Sequence, residues 1–161
     1  MSIAFSMGEL INIAIGIERR GITFYDIMAK STDNEIARRV FYSLAGMERE
    51  HIKIFQDMLG KADHFQPAGT ATEEYIGYLQ ALVDSAVFTD DAITSEMATQ
   101  ADSDIKAVEL GINAEKDSIL FYYQMRDIMP QPALPMINRI IAEEKAHLQQ
   151  LSEIKKKLAG A

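Results

Sequence analysis

The sequence contains no cysteine, which excludes several kinds of site at once. A chain without thiols has no disulfide, zinc ribbon, iron–sulfur centre or catalytic cysteine. It also lacks an uninterrupted apolar run of the length that a membrane-spanning helix needs, roughly 18 residues. The N-terminal stretch has no basic leader and carries Glu9 within its apolar part, so it reads as the start of a helix. We therefore expect a cytoplasmic protein with no membrane partner.

Basic residues are also few. Lys and Arg total 16 against 24 Asp and Glu, for a net charge of −8. The one basic cluster, residues 155–157, lies where a helix end favours cations. Because a phosphate-binding surface needs clustered basic side chains, we expect no nucleic-acid partner.

Helix-breaking residues are sparse, with 4 Pro and 9 Gly in the whole chain. The apolar periodicity predicts four long helices, at about 7–30, 35–59, 104–129 and 134–158. Residues 61–102 form a long crossover with one short helix near 72–86. Ser6 with Glu9, and Thr70 with Glu73, are candidate capping boxes. The prediction is an all-α, single-domain chain (1–161): a four-helix bundle with the one-crossover connectivity of ferritin-like folds.

Each predicted helix has an inward apolar stripe that is interrupted near its middle by a glutamate. Two of the four stripes add a histidine three residues later, on the same helix face. These residues are Glu18, Glu48 with His51, Glu115, and Glu144 with His147. A buried carboxylate must pair or take up a proton, and the stripes carry no Lys or Arg. Two divalent cations would balance four carboxylates, so the pattern predicts a dinuclear metal site.

The spacing along the chain places the four glutamates at one level of the bundle. Each lies 14 or 15 residues from the turn of its hairpin, which is roughly 22 Å along a helix. The chain also repeats: Glu18 and Tyr25 in the first hairpin correspond to Glu115 and Tyr122 in the second. These tyrosines either donate hydrogen bonds to the ligand carboxylates or are ordinary core tyrosines. The repeat predicts a site with an approximate two-fold axis.

Through these residues nearly the whole chain resembles the rubrerythrin-type branch of the ferritin-like di-iron proteins. The resemblance implies two irons ligated by the six residues above, reaction with peroxide or dioxygen, and often a homodimer. Rubrerythrins proper also carry a rubredoxin-like Fe(Cys)4 module, which this chain cannot form, so it would need an external electron donor. They have a further carboxylate one turn beyond the third-helix glutamate, where this sequence has Ser118 beside Asp117. This departure calls peroxidase chemistry by the family's mechanism into question.

Alternatives remain open for the metal and for the role. Oxygen and nitrogen ligands suit iron or manganese, and zinc also binds such sites. The chain is interpreted as an oxidoreductase, with iron sequestration without turnover as the alternative and a scaffold with structural metal as a third class.

Other polar and apolar residues near the motifs receive simpler interpretations. His64 falls in the polar crossover and is expected to be solvated. Glu50 and Glu143 adjoin the motifs but leave the inward stripe, so we interpret them as surface charges. Ile13 and Ile17 form a second apolar line that packs under the crossover or in a dimer interface. The methionines on the stripes are interpreted as core filler, namely Met7, Met58, Met125 and Met129.

Overall fold

The computed structural model describes residues 6–61 and 72–160, which form an all-α bundle. Four long helices are α1 (Met7–Ser31), α2 (Glu35–Gly60), α5 (Asp104–Ile128) and α6 (Leu134–Gly160). Two shorter helices, α3 (Glu73–Asp84) and α4 (Asp91–Gln100), lie in the crossover, and a 3₁₀ turn at Gln131–Ala133 precedes α6. The long helices differ from their predicted ranges by one or two residues at their ends. The all-α, ferritin-like fold class is confirmed.

Side-chain caps fix where the helices begin. Ser6 and Glu9 form the predicted capping box, in which each side chain accepts a hydrogen bond from the other's backbone amide. Thr72 caps α3 by accepting from the Tyr75 amide at 3.1 Å. Thr70, which the sequence paired with Glu73 in a capping box, lies outside the described residues, as does His64.

In its described part, from residue 72 onward, the crossover contains two short helices where the sequence predicted one, and this is a correction. Helix α3 lies along α5, whereas α4 lies along α1. Asp90 caps α4 by accepting from the Ile93 amide at 2.7 Å. The buried face of α4 consists of Thr94 and Ala98, which are too small and polar to give a visible apolar stripe.

Two hydrophobic clusters fill the ends of the bundle and leave a polar layer between them. One surrounds the turn before α6, and the four stripe methionines belong to it: Met7, Met58, Met125 and Met129. The other surrounds the turn between α1 and α2 and includes Phe24, Phe41 and Leu151. The two turns therefore lie at opposite ends, and the crossover spans the length of the bundle. None of the helices in residues 6–61 and 72–160 has the length and apolar character needed to cross a membrane.

Candidate metal centre

The six predicted ligand residues meet at the middle of the bundle. Their side chains are almost fully buried, with exposures between 0 % for His51 and 3 % for Glu48 and His147. Within the described residues they form two overlapping groups, in each of which one ligand atom per residue lies within 4.8 Å of the others. The first group contains Glu18, Glu48, His51 and Glu144, and the second contains Glu48, Glu115, Glu144 and His147.

The two groups share Glu48 and Glu144, which lie between the two histidines. His51 Nδ1 is 3.1 Å from Glu48 Oε2 and 2.9 Å from Glu144 Oε1. His147 Nδ1 is 3.5 Å from Glu48 Oε1 and 3.8 Å from Glu144 Oε2. A carboxylate with one oxygen toward each histidine has the geometry to bridge two ions, so this arrangement is that of a dinuclear site.

The two glutamates that have no histidine on their own helix are held by tyrosines from the opposite hairpin. The Tyr25 hydroxyl donates to Glu115 Oε1 at 2.6 Å, and the Tyr122 hydroxyl donates to Glu18 Oε1 at 2.5 Å. Of the two roles considered for these tyrosines, the structure therefore shows hydrogen bonding to the carboxylates. A hydrogen bond of this kind fixes the rotamer of a carboxylate before any ligand arrives.

Several buried polar atoms of the cluster have no hydrogen-bond partner in the described chain. They are Glu115 Oε2 and both ring nitrogens of His147. Buried polar side chains are normally satisfied. Unpartnered atoms of Glu115 and His147 among the other carboxylates of the cluster are therefore the donor set expected for metal ions. The residues present thus fit two divalent cations.

The electrostatics of the metal-free cluster lead to the same inference. Burial, followed by the charges of Glu48 and Glu144, raises the pKa of the Glu18 and Glu115 carboxyls well above the usual range. Burial also acts to raise the pKa of Glu48 and Glu144, but hydrogen bonds from neighbouring groups outweigh it and leave both lowered.

At the two histidines, burial and the neighbouring groups shift the pKa in directions opposite to those at Glu48 and Glu144. Burial acts to lower their pKa, but the surrounding carboxylates outweigh it. They raise the pKa of His147 to about 12 and hold the pKa of His51 well above its usual value. Without metal, these shifts favour charged imidazoles beside ionised Glu48 and Glu144, and protonated carboxyls at Glu18 and Glu115. Two divalent ions can replace these four protons without changing the net charge of the site.

Glu143 was wrongly interpreted as a surface charge. Its carboxylate is only partly exposed, and its Oε2 lies 2.7 Å from His51 Nε2. Its other oxygen accepts from Arg139 Nε at 3.0 Å. The interpretation failed because it considered only the stripe of α6, whereas Glu143 faces the neighbouring helix α2. Glu50, by contrast, is exposed and pairs with Lys53.

A cavity between α1, α5 and the crossover reaches the cluster. Glu18, Glu48 and Glu115 form its inner wall, and its volume is about 50 Å³. Gly21 and Ser118, which occupy equivalent positions in the two hairpins, also line it. Because glycine has no side chain and serine has a small one, both residues leave this part of the cavity open.

The outer wall of this cavity is mainly apolar. It includes Ile13 and Ile17 of α1, with Val83 and Phe88 of the crossover. Ile13 and Ile17 therefore lie on the side of α1 that faces the crossover. Asp117 accepts a hydrogen bond from the Val87 amide at 2.8 Å and so ties the crossover to α5.

A four-helix bundle with one crossover and a buried Glu4His2 cluster defines the class of ferritin-like carboxylate proteins with a di-iron-type site. Comparison with known families gives the narrower assignment, because the rubrerythrin family model matches residues 9–155. The chain belongs to the rubrerythrin family.

A solved structure agrees with this assignment. The chain is similar to a crystal structure from Thermotoga maritima of a protein assigned to the ferritin-like diiron-carboxylate proteins. The two are 26 % identical, with a TM-score of 0.70, over 97 % of this chain and 98 % of that one. No curated protein matches this chain at a significant level.

Proposed function

We propose that this protein binds two iron ions and uses them to reduce peroxide or dioxygen with electrons from an external donor. The proposed ligands are Glu18, Glu48, His51, Glu115, Glu144 and His147. The observation that carries the proposal is the buried cluster of carboxylate and imidazole side chains, three of whose glutamates line a cavity. Family membership favours iron, although manganese or zinc would also suit oxygen and nitrogen ligands.

The chemistry of the proposed reaction divides between the metals and the chain. Bound by these six residues, two ferrous ions would supply the two electrons that, with two protons, convert one hydrogen peroxide into two waters. The chain holds the carboxylates in place through Tyr25 and Tyr122. The largely apolar cavity admits a small neutral oxidant and limits the access of bulk water. An external donor must then restore the electrons, because the chain has no cysteine for a second iron site.

The proposal is tested by loading the protein anaerobically with ferrous iron and measuring peroxide consumption with ascorbate as the reductant. We expect repeated turnover by the parent and only the background rate for Glu115→Ala. The matched control is Glu109→Ala, since Glu109 lies on the same helix but is exposed and contacts Lys155. Parent-like turnover by Glu115→Ala would show that the catalytic assignment is wrong.

The second candidate function is iron sequestration without catalytic turnover, and Ser118 favours it. At the position of the family's extra carboxylate, the Ser118 hydroxyl donates to the Ala114 carbonyl of its own helix at 3.0 Å and adds no ligand. Sequestration requires a hollow cage of many chains, whereas the oxidoreductase is expected to be a homodimer. Solution mass therefore separates the two, and metal binding without peroxide consumption by a dimer would favour a structural role.

A further inference from the structure

The two histidines of the cluster differ in what lies behind them. Each directs Nδ1 toward the shared carboxylates, so Nε2 points away from the cluster. His51 Nε2 lies 2.7 Å from the Glu143 carboxylate. His147 Nε2 is buried and has no hydrogen-bond partner in the described chain.

Glu143 is itself held in position. Arg139, one turn earlier on α6, donates from Nε to the second oxygen of the Glu143 carboxylate at 3.0 Å. The carboxylate is 24 % exposed, so it connects the buried His51 ring to the surface of the bundle. No comparable chain of hydrogen bonds reaches His147 in the described residues.

The internal repeat explains this difference. Glu143 directly precedes the glutamate of the second Glu-x-x-His motif and contacts the histidine of the first. The equivalent residue, directly before Glu48, is Met47. A methionine sulfur is at best a weak hydrogen-bond acceptor. The sequence therefore provides His147 with no counterpart of the contact that Glu143 makes with His51.

A carboxylate behind a metal-binding imidazole has a known physical effect. To bind a cation through Nδ1, a neutral histidine must keep its proton on Nε2. An acceptor at Nε2 selects that tautomer, fixes the ring orientation and increases the basicity of Nδ1. Loss of such an acceptor typically costs about 10–100-fold in metal affinity.

We infer that Glu143 is a positioning residue that makes the two metal positions unequal. The position formed by Glu18, Glu48, His51 and Glu144 binds its ion more tightly than the position beside His147, so the two ions load in sequence. This inference rests on the proposed function, since it requires that the cluster bind two ions.

The test is a calorimetric titration of the metal-free protein with Co²⁺, repeated on variants. We expect two binding steps in the parent, separated by about tenfold or more in dissociation constant. His147→Ala should retain the tighter step and His51→Ala should lose it, which assigns the steps to the two positions.

Variants of the residues behind the histidines provide the decisive comparison. Glu143→Ala should weaken the tighter step by about 10–100-fold and leave the weaker one unchanged. Glu143→Gln, which retains an acceptor oxygen, should recover part of that loss. Met47→Glu supplies the missing acceptor and should strengthen the weaker step alone, while Glu50→Gln, a change at an exposed neighbour of the motif, should alter neither.

The outcomes separate this inference from the proposed function. Two ions bound with equal affinity by the parent, or an unchanged tighter step in Glu143→Ala, would overturn the inference and leave the dinuclear site intact. A parent that binds no Co²⁺ would overturn both. Thermal unfolding of each metal-free variant identifies any change that acts through folding, because a fold defect weakens both steps together.

Discussion

Each tyrosine of the cluster reaches from one hairpin to a carboxylate of the other. Tyr25 of α1 holds Glu115 of α5, and Tyr122 of α5 holds Glu18 of α1. These two hydrogen bonds connect the two hairpins of the repeat at the site. A substitution of either tyrosine therefore affects a carboxylate of the opposite hairpin.

We predict that Tyr25→Phe lowers both the stability and the metal affinity of the protein. The change removes a buried hydrogen bond and leaves Glu115 Oε1 without a donor, which costs about 1–3 kcal/mol of unfolding free energy. Iron affinity should fall by about 10–100-fold. Urea denaturation and metal titration measure the two effects. Tyr42→Phe, at an exposed tyrosine, is the control, and equal behaviour of the two variants would contradict the assigned role.

The sequence predicted the residues at this site better than the contacts around them. The proposed ligands could be identified from the sequence because a charged side chain on an apolar stripe is energetically costly. This cost is recognisable in each helix taken alone. Glu143 was missed because its partner, His51, lies on another helix 92 positions away. Contacts between helices depend on their rotation and packing, which the periodicity of one helix does not determine.

At the scale of the helices, Gly111 allows α5 to approach its neighbours closely. A Cβ atom at this position would lie 3.2 Å from Leu151 Cδ1 and 3.3 Å from Tyr25 Cε1. These distances are shorter than most contacts of real Cβ atoms. The glycine therefore leaves room for the tyrosine that holds Glu115.

We expect Gly111→Ala to stabilise the protein less than an ordinary glycine replacement in a helix, or to destabilise it. Replacement of a helical glycine by alanine usually gains about 1 kcal/mol, but here the new methyl group must displace Tyr25 or Leu151. Gly46→Ala is the matched control, because nothing lies within 4 Å of a Cβ atom there. If both variants gain equally in chemical denaturation, the close approach has no energetic consequence.

The crossover helices close the cavity and contribute to the core. Phe88, between α3 and α4, is 5 % exposed and its ring lies 4.9 Å from that of Phe24. It also lines the cavity. The crossover was predicted as one short helix because α4 buries only Thr94 and Ala98, and small residues give a weak periodic signal.

We predict that Phe88→Ala lowers the unfolding free energy by about 3–5 kcal/mol, the usual cost of removing a buried phenyl ring. The cavity should widen, so peroxide should oxidise the iron-loaded variant faster than the parent. Denaturation and stopped-flow absorbance measure the two effects. Tyr78→Ala, at an exposed aromatic residue of α3, should change neither, and a parent-like stability of Phe88→Ala would contradict the packing described.

In the molecule as a whole, the ionisable groups of the cluster make the stability of the fold depend on pH and on bound metal. In the metal-free protein Glu18, Glu115, His51 and His147 have raised pKa values. The folded chain thus retains protons that the unfolded chain, with ordinary values of 4.5 and 6.5, has already released. Their stabilisation is complete below those ordinary values and is lost as the pH rises.

We predict that the stability of the metal-free protein falls as the pH is raised above 6.5, the ordinary pKa of histidine. Glu48 and Glu144 do not oppose this trend, because their lowered pKa values affect stability only when the pH falls toward 4.5. Urea midpoints across the range measure the slope, and Glu18→Gln should reduce it. Bound metal replaces the protons, so it should bind more tightly as the pH rises. A flat profile without metal would contradict the proton balance described for the cluster.

The most direct test of a dinuclear iron site is an anomalous difference map, at the iron absorption edge, from crystals of the protein loaded with ferrous iron. Two peaks are predicted, one among Glu18, Glu48, His51 and Glu144 and the other among Glu48, Glu115, Glu144 and His147. A well-ordered map from iron-supplied crystals with no peak between these side chains would contradict the account.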